Sequence, residues 1–148
     1  MEALQETALA RLVATAPGVY PLLSALHLLG IALLLAPVII ADLRLVGLAD
    51  ARLDGAIPVL LRTARRGFAL AATTGVALFL VQAADYAANA AFLAKLGLIA
   101  AAGANAALLH RRVPEGALMA RGHARAAAWA SLLLWSGALL MGRWIAFV

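Results

Sequence analysis

His27 is the residue whose type and setting most invite chemistry. It lies inside the apolar run Pro21–Gly47, PLLSALHLLGIALLLAPVIIADLRLVG, with Gly30 three residues on. On a helix these two share a face. An ionisable group deep in such a run is a functional candidate by default, because burying it in hydrocarbon is costly. Neutral imidazole is a ligand for haem iron, and the missing side chain at Gly30 would leave a gap for a flat ring to rest against. The same imidazole also reads as a helix-packing group, hydrogen-bonded to a neighbouring helix. Both readings stay open at this point.

Other residues are spaced to take part. Met141 lies six residues before Phe147 on the last apolar stretch. Its depth, roughly 9 Å from that end, is close to the roughly 10 Å of His27 below Pro21. A thioether opposite an imidazole is a known haem ligation pattern, although a methionine on an apolar helix also serves as core filler. Lys95 and Arg143 sit near the same end, where they would hold carboxylates of a ring ligand, as haem propionates require. Alternatively Asp85 pairs with Lys95 across a short hairpin, and Arg143 anchors headgroups. The resulting expectation is a haem b site of His27, Gly30, Lys95, Met141 and Arg143, with His27 as the metal ligand. His110 lies roughly 15 Å or more from the depth of His27 and cannot share an iron with it. His110 and His123 bracket a basic connection, as a second metal or haem site or as a solvated pair.

These residues need a scaffold, and composition names it. Of the 148 residues, 66% are hydrophobic and 13% charged, well above the roughly half apolar content of a soluble domain. The chain reads as all-α: an integral membrane antiparallel four-helix bundle, one domain over residues 1–148, with a short N-terminal amphipathic helix. Spanning helices are expected at about 21–46, 67–86, 92–110 and 126–147, and a surface helix over 1–16 with Leu4, Ala8 and Leu12 on its apolar side. Pro37 would kink the first spanning helix. Asp42 and Arg44 would pair at its end and fix its depth. In the third, Ala100/Ala104, Gly103/Ala107 and Ala102/Ala106 stand four apart, a spacing that lets helices approach closely in lipid.

Nine of the twelve Lys/Arg flank the first and third connections: Arg44, Arg52, Arg62, Arg65, Arg66, Arg111, Arg112, Arg121 and Arg125. The positive-inside rule then puts both termini outside, in the inner membrane of a bacterium. The net charge of +5 reads as a topology signal rather than a nucleic-acid footprint, since aromatic interleaving and a long basic run are missing. With no cysteine, disulfides, thiolate metal sites and covalent c-type haem are excluded. The N-terminus, acidic before it is basic, does not read as a cleaved signal peptide. No phosphate loop, HExxH or serine elbow is present.

The segments HLLGIALLLAPVIIADLRLVG and RGFALAATTGVALFLVQAADYAANAAFLAKLGLIAAAGANAALLH resemble a group of small, largely uncharacterised bacterial four-helix membrane proteins. The shared pattern falls on His27–Gly30, Asp42–Gly47, Asn89–Lys95, Asn105 and His110, within residues 20–112. The chain is more distantly similar to copper-resistance D-type membrane proteins and to the HemJ-type protoporphyrinogen oxidase, which also carry a first-helix His and a third-helix Lys. The HemJ type binds haem b, so this resemblance implies His27 and Lys95 as residues to test. The first helix departs from the HemJ pattern, whose aromatic and basic residues after the His are missing, and the oxidase activity is not carried over.

Three functions are therefore expected in competition. The first is a b-type haem protein of electron transfer or an accessory redox role. The second is a cofactor-free structural or accessory subunit whose partners, beyond the lipid bilayer, are other membrane subunits or a second copy. The third is a metal or small-solute transporter using His27, Asp85 and Lys95.

Overall fold

The computed structural model describes residues 7–112 and 122–147. Among them every regular element is helical: α1 (Ala8–Thr15), α2 (Val19–Val46), α3 (Ile57–Val81), α4 (Ala83–Ala88), α5 (Ala90–Arg112) and α6 (Gly122–Trp144). Short stretches of tighter helix precede α3 (Ala51–Ala56) and follow α6 (Ile145–Phe147). Four helices, α2, α3, α5 and α6, are long and apolar enough to cross a membrane.

Helix ends follow local chemistry. Thr7 caps α1, its hydroxyl accepting from the Ala10 amide at 3.3 Å. Within α1, Ala10 and Val13 are buried, whereas Ala8 and Leu12 are exposed. The face that packs inward is thus a different one from the stripe expected to lie on the membrane surface, and Leu4 lies outside the described residues. Helix α2 runs through Pro37 and stops at Gly47, whose φ of +89° suits a residue without a side chain. There the Leu48 amide bonds back to the Leu43 carbonyl (2.8 Å) and the Gly47 amide to the Arg44 carbonyl (3.1 Å). This is the paired closure that commonly ends helices at glycine. The Asp50 carboxylate then caps the turn before α3 by accepting from the Arg52 amide at 2.8 Å.

Helix α3 begins at Ile57, beside Pro58, where the sequence restarts a helix ahead of the spanning stretch expected from about 67. It ends at Val81 rather than near Tyr86, because Gln82 leaves helical geometry (φ −133°, ψ 45°) and a separate short helix, α4, follows.

The chain divides into two compact units. One joins Met1–Ala36 to Arg62–Asn89 and the other joins Pro37–Leu61 to Ala90–Val148. Buried apolar residues of the first include Ala10, Val13, Leu34, Ala64 and Ala71. Those of the second include Ala41, Ala102, Ala124, Ala128 and Trp135. Alanine dominates both cores, and such small side chains let helix backbones approach. Large apolar residues such as Leu28, Leu96, Leu133 and Leu140 stay exposed.

In the second unit one face of α5 meets α6. Ala91 and Ala102 are buried, Leu98 packs on Gly137, and the Asn105 side-chain amide donates to the Ala127 carbonyl at 2.9 Å. Positions 91, 98, 102 and 105 fall on one helical stripe. The small residues expected to mediate contact do so only at Ala102. Ala100, Ala104, Ala106 and Ala107 are exposed, and nothing lies within 4 Å of where a Gly103 side chain would stand.

Candidate functional site

Helices α2 and α3 meet through residues that have almost no side chain. A Cβ built on Gly30 would lie 2.6 Å from the Ala71 amide nitrogen, and one built on Gly67 would lie 2.5 Å from the Leu34 nitrogen. Both distances are shorter than real Cβ contacts allow, so the two backbones touch there because both positions are glycine. The spacings 30/34 on α2 and 67/71 on α3 place each pair on one face.

His27 stands at the open end of this seam, half-buried. Its Nδ1 lies 2.9 Å from the Ala71 carbonyl oxygen and 3.2 Å from the Thr74 hydroxyl. A carbonyl can only accept, so Nδ1 carries the proton and donates to Ala71. The Thr74 hydroxyl is itself turned to the Leu70 carbonyl at 2.6 Å. The ring edge fills the notch at Gly75, with Cε1 2.9 Å from where a Cβ there would stand. Thr74 and Gly75 were not singled out by sequence reasoning. A threonine and a glycine inside an apolar helix give no sign of which helix they face.

This geometry tests the haem expectation. An Nδ1–H bonded to a backbone carbonyl is the kind of orienting contact that metal-ligating histidines use. The cradle, however, is closed: the space beside Gly30, where a flat ring was to rest, is filled by the backbone of Ala71. The residues around His27 do not fit a haem held against Gly30, and that role for Gly30 is corrected to a helix–helix contact.

The remaining expected ligands belong to the second unit. Lys95 is half-buried, its stem laid over Gly142 on α6 with Cδ and Cε 3.5 Å from the position of a Cβ. The missing side chain at Gly142 gives the lysine its channel along the helix. Arg143 is exposed and its guanidinium sits 5.2 Å above the Phe147 ring, a cation–π contact at the helix end. Met141 is half-buried. Asp85, in the first unit, is exposed. The His110 Nδ1 donates back to the Ala106 carbonyl of its own helix at 2.7 Å. The side chain of His123 and most of the expected basic linker lie outside the described residues. Among the described residues no three His, Asp or Glu side chains gather as a metal site would need.

The expected Asp42–Arg44 pair does not form. Arg44 instead grips Asp54 with two parallel bonds, Nε to Oδ1 at 2.6 Å and a terminal nitrogen to Oδ2 at 3.0 Å. Residues 42 and 44 are two apart and so point to different sides of a helix. Asp42 turns inward and is buried. One turn on, Arg125 of α6 donates to the Val46 carbonyl at 3.3 Å, satisfying one of the acceptors left open at the end of α2.

Compared with known protein families, with curated proteins and with solved structures, the chain matches none.

Proposed function

We propose that this chain is a multi-pass membrane protein that acts as a cofactor-free structural or accessory subunit. In this reading the four long helices pack antiparallel in a bacterial inner membrane, with both termini outside. The observation that carries it is the joint at Ala71. One residue accepts the His27 hydrogen bond and also fills the space beside Gly30, so the imidazole is used to hold two helices together. A hydrogen bond between helices in lipid is worth roughly 0.6–2 kcal/mol, enough to fix register.

The exposed leucines support the rest of the reading. On a chain with four helices of spanning length, side chains such as Leu28, Leu33, Leu133 and Leu140 suit acyl chains and the apolar face of a partner subunit. The arginines at 44, 52, 62, 65 and 66 support a cytoplasmic first connection by the positive-inside rule.

The decisive experiment is an absorption spectrum of detergent-purified protein after haem-supplemented expression, wild type beside His27→Ala. No Soret band is expected. A band in the wild type that disappears in the variant would overturn the reading and restore haem at His27. Native chain has no cysteine, so topology can be read from single introduced thiols. Ala51→Cys should react only with reagent on the cytoplasmic side, and Ala16→Cys and Ala88→Cys only from outside. Retrieval of a clean, partner-free monomer from native membranes would count against the subunit role.

A further inference from the structure

Helix α6 carries its three tryptophans on two faces. Trp135 is 8% exposed and shares the inward side with buried Ala128 and Ala138. Trp129 and Trp144 are 49% and 57% exposed, and Leu133 and Leu140 stand exposed between them. Positions 129, 133, 140 and 144 form one stripe of the helix. No charged residue lies between Arg125 and Arg143, which are separated by roughly 27 Å of helix. A bilayer's hydrocarbon layer is about 30 Å thick, and indoles favour its edges.

At its C-terminal end the stripe meets a packed cluster. The Trp144 and Phe147 rings lie 6.4 Å apart, and the Arg143 guanidinium sits 5.2 Å above Phe147. The ring covers one flat face of the guanidinium, while the N–H donors point outward in its plane. Arg143 and Phe147 are both exposed, and among the described residues no carboxylate pairs with Arg143. A fork of donors at the end of an apolar stripe complements an anionic head joined to apolar chains. We propose that this end of α6 binds an anionic phospholipid, with Arg143 donating to the phosphate and the acyl chains lying along Trp144, Leu140 and Leu133. Phe147 holds the guanidinium in place by cation–π attraction. A zwitterionic lipid brings its own cation beside the phosphate and so competes poorly for the site.

The test is tryptophan fluorescence of the full-length protein in vesicles whose lipids carry bromine, a quencher, on the acyl chains. In brominated phosphatidylcholine, Trp129→Phe and Trp144→Phe should each remove a strongly quenched component, and Trp135, left alone in the double variant, should be quenched least. Indoles at 129 and 144 as shielded as Trp135 would overturn the lipid stripe and cover it with protein instead. Next, a minor share of brominated phosphatidylglycerol is placed in unlabelled phosphatidylcholine. The Trp144 component should be quenched beyond the level of random mixing. Arg143→Gln should return it to that level and leave the Trp129 component unchanged. Random mixing in the wild type, a measurement that needs no Arg143 variant, would overturn the phosphate site. So would loss of the excess quenching on adding inorganic phosphate, which would make the free ion the ligand. The site rests on the membrane reading above. Release of the chain from native membranes by alkaline carbonate would overturn both, whereas a retained chain with shielded indoles would overturn the lipid site alone.

Discussion

His27 and Ala71 are joined by a 2.9 Å hydrogen bond from a ring nitrogen to a main-chain carbonyl. That carbonyl belongs to the residue whose own amide nitrogen would meet a Cβ at Gly30. The bond therefore exists only where the α2 and α3 backbones nearly touch. Gly30 brings the helices together, and the imidazole reaches a carbonyl that would otherwise be one step too far away.

The notch at Gly75 makes this arrangement testable by coupling. Gly75→Ala places a methyl 2.9 Å from the ring Cε1 and must push the imidazole off its carbonyl. Overpacking of this kind costs about 1–3 kcal/mol. His27→Ala removes the bond and leaves a gap, for a loss of about 1–3 kcal/mol. The double variant has no ring to clash, so its loss should fall well short of the sum. Thermal unfolding in one detergent, followed by circular dichroism, measures all four proteins. Simple additivity would mean the ring does not occupy the notch.

Two other glycines separate close packing from composition. Gly67→Ala sets a methyl 2.5 Å from the Leu34 nitrogen, and that neighbour is backbone, which cannot swing aside. Gly103→Ala meets nothing within 4 Å. The first should lose about 1–3 kcal/mol. The second should be neutral, or gain up to about 1 kcal/mol from helix propensity. Equal effects in unfolding experiments would show that α2 and α3 do not touch at Gly67.

How far the sequence reaches is visible in these same residues. The four long apolar helices were legible, because length and hydropathy alone demand them. The stop of α2 at Gly47 was legible as the end of the Asp–Leu–Arg–Leu–x–Gly pattern. The partner of each polar group was not. Asp42 and Arg44 are neighbours in sequence, and only the direction of each side chain about the helix separates a buried carboxyl from a guanidinium facing Asp54. Gly30 and Gly103 look alike as letters, yet one touches a backbone and the other faces open space. Periodicity gives the faces of a helix but not which neighbour each face meets. That choice depends on pairings between residues far apart in sequence, 44 positions in the case of His27 and Ala71.

The Arg44–Asp54 fork should behave as a partly solvated ion pair. The Arg44 side chain is 19% exposed and that of Asp54 44%, so salt reaches it. Arg44→Ala, Asp54→Ala and the double variant form a cycle whose coupling should be small, favourable and weaker at high salt. Its structural effect is local: the turn Ala51–Ala56 loses its tie to α2, and backbone amides there should exchange faster with heavy water. Coupling that does not change with salt would place the pair in a drier setting than this one.

Tyr86 supplies the pH dependence. Burial pushes its hydroxyl above the ordinary value of 10.0, reinforced by the charges of Tyr20 and Asp85 and by a hydrogen bond with Tyr20. Its ring also packs 6.3 Å from that of Phe79. A folded chain that holds this proton more tightly than the unfolded one is favoured while the phenol is neutral. The contribution is complete below the unfolded value, about 10, and disappears as the pH climbs through the raised folded value. Tyr20→Phe leaves Tyr86 as the only tyrosine in the chain and removes the charge and hydrogen bond of Tyr20 while keeping burial, the largest cause, and the charge of Asp85. Its phenolate absorbance should still rise at higher pH than that of a free tyrosine, and the rise should coincide with loss of helix stability. Ionisation at the ordinary value would mean that water reaches the hydroxyl, and that α4 is not packed as the Phe79 contact requires.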